Sequence, residues 1–350
     1  LRFRRWKFSS TTQDEKLNLL PSSHPVQEPG IERPTEVFQH THAVMFHHFH
    51  DNKHPVGQGS LSADQLRQIL DWLSERYSVL SADEYIYRLS KYSLEKTDIC
   101  LTFDDGLLCQ AEVALPILRE RNIKAFFFIY SAPFSMELTN NETLVEVYRY
   151  FRTTMFETID DFYLEFLSLV RVSFEVIYSE AEKEYSSEIF LSEFPFYTET
   201  DKWFRYLRDR FLGKERYDWI MSIIMRNKHF SIETALTKLW MSNADLVTLN
   251  NEGHLVGLHS FSHPTMLHEM SAEGQEYEYK NNLAHLSEIL GEDPIAMAHP
   301  CGRYNEDTLK ILTRLGIEIG FLSNTGVVDI KTKLEVPRRD HANIWAAMQG

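Results

Sequence analysis

The chain has 350 residues, 43% of them hydrophobic and 25% charged, with a formal net charge of −15. That describes a globular chain with room for one large domain or two ordinary ones. The negative balance argues against non-specific nucleic-acid binding, which needs clustered cations, and no apolar run approaches the roughly 18–20 residues of a transmembrane segment.

Residues 1–37 read as a polar tail punctuated by Pro21, Pro25, Pro29 and Pro34, with the main domain running from 38 to 350. Ala43–Phe46 predicts a short buried strand that ends in His47-His48-Phe49-His50. Between Leu61 and Tyr77, the residues Leu66, Ile69, Leu70 and Leu73 recur at helical spacing, with Ser60 or Ser62 as N-cap. Ile99–Phe103 predicts a strand, Ala111–Arg121 a helix, and Ile123–Tyr130 a strand buried on both faces.

Residues 135–237 then interrupt this rhythm with many aromatics and acids. Between Glu137 and Asp201, fifteen acidic residues outnumber four basic ones, a balance of −11. Leu144–Phe156 and Phe162–Tyr178 have helical apolar spacing, so the segment reads as a mostly helical insertion with a solvated acidic side. The alternation resumes with a strand at Leu255–Leu258, a helix at Glu273–Leu290, a strand at Ile295–Ala298, a helix at Asn305–Leu315 and a strand at Ile317–Leu322. Strands alternating with helices imply an α/β fold, a parallel sheet wrapped by helices and either open or closed into a barrel.

Two segments carry the chemistry. Thr102-Phe103-Asp104-Asp105-Gly106 ends an apolar run with adjacent carboxylates at the C-terminal edge of a predicted strand, where parallel α/β folds place their active sites. His259-Ser260-Phe261-Ser262-His263 follows another such run with two histidines four positions apart, on one face of a helical turn or across a tight loop. Two imidazoles and a carboxylate can hold a catalytic divalent metal, and the second carboxylate can take a proton from its water. The two aspartates alternate along the strand, so their convergence requires the turn at Gly106.

These segments resemble the NodB-type polysaccharide deacetylases, carbohydrate esterase family 4. The resemblance extends to Ala298-His299-Pro300-Cys301-Gly302-Arg303-Tyr304-Asn305 and to Val336-Pro337-Arg338. It implies a (β/α) barrel, distorted or incomplete, and assigns Asp105, His259 and His263 as metal ligands, with Asp104 as general base. It also implies that the backbone N–H of Cys301 stabilises an oxyanion within a wall formed by His299, Pro300 and Cys301, and that Arg338 orients Asp104. No late Leu-x-His motif supplies the general acid. Val44-Met45-Phe46-His47 is similar to the first strand of members with circularly permuted motif order, which points to His47 rather than His48, His50 or His54. The implied cofactor is one divalent ion, zinc or else cobalt, nickel or manganese, and the implied substrate an N-acetylated carbohydrate. An O-acetyl esterase, a hydrolase of other C–N bonds, and a non-catalytic carbohydrate-binding relative are the competing readings. The three cysteines, Cys100, Cys109 and Cys301, have no disulfide-framework spacing and favour the cytoplasm. The chain begins with Leu, so the lack of a recognisable signal peptide carries little weight.

Overall fold

The computed structural model describes residues 42–134, 144–186, 188–191, 197–324 and 330–349, so the tail expected at 1–37 lies outside the described residues. Eight strands follow one another: β1 (His42–Phe46), β2 (Ser78–Val79), β3 (Asp98–Asp104), β4 (Phe126–Ile129), β5 (Leu255–Leu258), β6 (Ala296–Ala298), β7 (Ile319–Asn324) and β8 (Val336–Asp340). All pair in parallel, in the order β1-β8-β7-β6-β5-β4-β3, and β1 pairs back to β3. Seven strands therefore close a barrel. The short β2 pairs with the start of β3 outside that ring.

Helices α1 (Ala63–Ser74), α2 (Ala82–Ser90) and α3 (Leu115–Glu120) join the first strands. Between β4 and β5 run α4 (Leu144–Met155), α5 (Ile159–Ser173), α6 (Glu175–Glu184), α7 (Glu199–Tyr206), α8 (Gly213–Asn227), α9 (Ile232–Leu239) and α10 (Asn243–Asn251). The last connections use α11 (Ala272–Leu290), α12 (Glu306–Arg314) and α13 (His341–Gln349). Among the described residues no helix is long and apolar enough to cross a membrane.

Local signals start these helices where side chains can satisfy the orphan N–H groups of a first turn. Ser62 accepts from Gln65 N while the Gln65 side chain returns to Ser62 N, and α1 then buries Leu66, Ile69, Leu70 and Leu73. Asn305 caps α12 in the same reciprocal way through Thr308. Two expectations need correction. The helix expected at Ala111–Arg121 opens as a π-helical turn over Gln110–Ala114 before α3. The single helix expected over Phe162–Tyr178 breaks at Phe174, which ends α5 and precedes α6.

Period-two alternation separates two cores. Ile99, Leu101 and Phe103 of β3, with Phe127 and Ile129 of β4, pack outward with helix residues such as Leu66, Ile117 and Leu118. Cys100, Phe126 and Phe128 turn inward and meet Ala43, Ala298, Phe321 and Val336 from the other strands. The Phe321 ring lies 5.0 Å from Phe126 and 5.4 Å from Phe128, filling the barrel. The same parity directs Asp104, His47 and Arg338 inward. A Cβ on Gly257 of β5 would lie 2.5 Å from Ala296 O, so only glycine fits that strand contact. Helices α4 to α8 build a core of their own around Phe151, Phe162, Phe166, Phe204, Ile220 and Ile224.

Candidate active site

All seven residues of β3 are buried, and the strand delivers Asp104 to the C-terminal end of the barrel. The chain reverses one residue earlier than Gly106 alone would require. Asp105 already has φ +77°, followed by +63° at Gly106. That left-handed backbone rotates Asp105 away from the alternation of the strand and towards the histidines.

The His259–His263 segment is a tight loop rather than a helical turn, with Ser260 at φ +64° and His263 at φ +55°. Ser260 Oγ accepts from His263 N at 3.0 Å. The Glu278 carboxylate of α11 accepts from Phe261 N (3.0 Å), Ser262 N (2.8 Å) and Ser262 Oγ (2.7 Å). Asn282 Oδ1 accepts from His259 N at 2.8 Å. His259 Nδ1 lies 2.8 Å from Ala298 O, a partner that can only accept, so Nε2 keeps its lone pair for the site.

Asp105, His259 and His263 form the one group among the described residues that could hold a metal ion, with ligand atoms within 4.8 Å of one another. Both histidine Nε2 atoms lie 3.6 Å from Asp105 Oδ1. Burial pushes Asp105 well above the usual carboxylate range, and the Glu146 and Asp104 carboxylates add to the effect. Burial pulls His259 down to about 3, against the opposing charge of Asp104, and also lowers His263. Two neutral imidazoles beside a carboxylate are a donor set that suits a divalent ion.

Asp104 stands beside this group in a different state. Arg338 Nη1 and Nη2 donate to its two oxygens at 2.7 and 2.8 Å. Burial raises Asp104, but the charges of Arg338, His259 and His47 outweigh it and hold the carboxyl well below its ordinary value. His47 Nε2 approaches Asp104 Oδ2 to 3.7 Å from the other side. Burial lowers His47, and the Asp104 and Asp340 carboxylates oppose that.

The family model described as Polysaccharide deacetylase matches residues 91–147 and 221–320, spanning both motif segments. This chain carries a polysaccharide deacetylase domain. No curated protein matches significantly. Solved structures share the fold. IcaB from Ammonifex degensii aligns at TM-score 0.53 and 15% identity, covering 88% of this chain and 96% of its own. The Streptococcus pyogenes deacetylase PplD, in complex with acetate, aligns at TM-score 0.50 and 18% identity, covering 89% and 100%. A de-N-acetylase from Aggregatibacter actinomycetemcomitans aligns at 0.51 and 12%, covering 85% and 94%.

The deacetylase domain disposes its other histidines elsewhere. His48 pairs with Glu146 of α4 at 2.8 Å, His50 with Ser60 Oγ at 2.8 Å, and His54 with Glu112 at 3.0 Å. His299 is fully buried, lies 2.8 Å from Leu334 O through Nε2 and stacks 4.5 Å from the Tyr304 ring. Burial holds His299 down to about 4, so it is a neutral anchor of the wall. Pro300 is buried at the start of a single 3₁₀ turn, and Cys301 follows at φ +52°, exposed and outside the metal-competent group.

Two residues of the deacetylase domain escape motif reading. Gln110 is fully buried, and its amide donates to His47 O (2.8 Å) and Asp104 O (2.5 Å), tying the two strand ends together. The other is Glu278. Nothing in the local pattern separates either from a helix residue; only the π-helical register at Gln110 marks it.

Proposed function

We propose that the deacetylase domain is a metal-dependent hydrolase that removes N-acetyl groups from an amino sugar or polysaccharide, releasing acetate. The observation that carries this reading is the convergence of Asp105, His259 and His263 beside Asp104 and His47. A divalent ion held by those three residues, zinc or else cobalt, nickel or manganese, would polarise the acetyl carbonyl and acidify a bound water.

The residues of the chain supply the rest. Asp104, kept ionised and oriented by Arg338, takes a proton from the attacking water. The backbone N–H of Cys301, on the left-handed turn set by Pro300 and anchored by His299, donates to the developing oxyanion. Protonated His47 gives its proton to the departing nitrogen as the C–N bond breaks. Hydroxide adds to the acetyl carbon, so acetate and a free amino sugar leave. We read residues 38–350 as one catalytic unit that the 135–237 segment interrupts.

The test is acetate release from a panel of N-acetylated oligosaccharides by chelated protein, with zinc, cobalt, nickel or manganese added back and bound metal counted. Release restored by one equivalent of metal is the expected result. No release with any metal sinks the reading. Release from O-acetyl esters alone, insensitive to His47→Ala, moves it to an esterase.

A further inference from the structure

The segment between β4 and β5 is strongly acidic, yet three arginines lie over neighbouring aromatic rings in it. The guanidinium carbon of Arg152 (α4) lies 5.4 Å from the Phe204 ring centroid and 5.5 Å from that of Phe162. That of Arg208 lies 5.8 Å from Phe204, and that of Arg205 lies 4.1 Å from the Tyr197 ring. Aromatic faces cover the flat sides of a guanidinium and leave its in-plane N–H donors to be used.

Only Arg208 uses them, on Asp209 at 2.6 and 2.9 Å. Among the described residues, Arg152 and Arg205 make no hydrogen bond or ion pair, and the Nε of each is buried without an acceptor. The nearby Asp201 is already engaged by neutral donors: Tyr163 Oη, Gln58 Nε2 at 3.0 Å, and the backbone N and Oγ1 of Thr198 at 3.0 Å each. Burial lowers Arg152, and the charges of Arg205 and Arg208 lower it further. Two guanidinium groups with no ion-pair partner among the described residues are unfavourable in a folded protein unless something else supplies the anion.

Hydrogen bonds tie α7 to the C-terminal ends of the strands: Gln58, on the loop after β1, donates to Asp201 at 3.0 Å, and its neighbour Gly59 accepts through its carbonyl from His341, which follows β8, at 2.9 Å. Burial pushes the Cys301 thiol up to about 11, the Arg208 charge opposes the rise, and Asp105 and Asp209 add to it. Tyr197, raised by burial, lies in the field of both Arg205 and Asp340, the last residue of β8. A polysaccharide chain engaged at Asp104 would therefore reach these arginines with another part of its length.

We propose that Arg152 and Arg205, with Arg208 beside them, form an oxyanion subsite that grips a phosphate or carboxylate substituent of the glycan. The domain would then act on acidic glycans. This rests on the hydrolase reading above. The planar fork of arginine matches two oxygens of either group, whereas a neutral sugar would leave the cations uncompensated.

The test reads arginine modification by phenylglyoxal, peptide by peptide, on the full metal-loaded chain, with inorganic phosphate and glucuronate as probes. Saturating probe is expected to slow modification of Arg152 and Arg205 several-fold and to leave the 62% exposed Arg314 unaffected. Protection by phosphate assigns a phosphodiester-bearing glycan, and protection by glucuronate a uronate-bearing one. Protection by neither overturns the proposal. In a folded Arg152→Gln, Arg205→Gln variant the dissociation constant of the protecting probe should rise at least tenfold by calorimetry, and an unchanged value also overturns it. If that variant does not fold, the footprint of the unmodified sequence decides. Neither readout needs turnover, so protection without acetate release would sink the hydrolase reading and keep the subsite.

Discussion

Asp104 and Arg338, 234 residues apart, meet through two parallel hydrogen bonds of 2.7 and 2.8 Å inside the barrel. Arg338 is 1% exposed and Asp104 2%. Neither charge would be tolerable there alone. Replacing Arg338 with Met strands a buried carboxylate and should destabilise the protein by about 3–5 kcal/mol. Urea midpoints check this; an unchanged midpoint would mean that the pair contributes nothing to the fold.

His263→Ala should lose bound metal and acetate release together, because two ligands cannot replace three. Asp104→Asn should keep the metal and lose turnover by roughly 10²–10⁴-fold, the usual contribution of a general base. Metal counting beside acetate assays separates the two. Full metal in the His263 variant would remove that residue from the ligand set.

His47 and His48 are neighbours with different partners, Asp104 at 3.7 Å and Glu146 at 2.8 Å. Alanine at 47 should cut amide hydrolysis by about 10²-fold or more. Alanine at 48 should act mainly on stability, by leaving Glu146 buried without its partner. The reverse pattern of rates and melting temperatures would exchange their roles.

Gln110→Leu removes both donors that join His47 O to Asp104 O. Two buried carbonyls left unpaired should cost about 2 kcal/mol or more. The loosened spacing of acid and base should lower kcat on the order of 10²-fold. Unchanged metal content would show that the damage lies in alignment. A variant with wild-type kcat would make Gln110 a purely structural residue.

Stability should fall in acid because buried histidines refuse protons. His299 sits at about 4 when folded against 6.5 when free. Between these values the unfolded chain binds a proton that the folded chain does not. Each pH unit downward through that window therefore removes up to about 1.4 kcal/mol for this group. His299→Gln, whose amide can still donate to Leu334 O, should flatten the decline of urea midpoints between pH 6.5 and 4. An equally steep decline would show that His299 is not a source of it.

Spacing along the chain made much of the barrel legible. The alternation over 99–103 became β3, the 255–258 run became β5, and Ser62 capped α1. β8 escaped because Val336-Pro337-Arg338-Arg339-Asp340 has neither apolar alternation nor a full set of N–H donors. Its polar residues are buried by the interior they share with Asp104, which no local window can register. Helices α7 and α8 and most of α9 fall within the segment read as mostly helical, though their separate bounds were not assigned there, and α10 follows it.

The sequence by itself determined the strand and helix rhythm, the Asp-Asp and His-x-x-x-His segments, and the family they resemble, since these depend on residues close in the chain. Closing the seven-strand ring decided the rest. It turned Asp104, His47 and Arg338 to one interior and brought Gln110 and Glu278 behind the site. Those relationships depend on strand parity and on packing between segments separated by many residues, and such distances exist only in the folded chain.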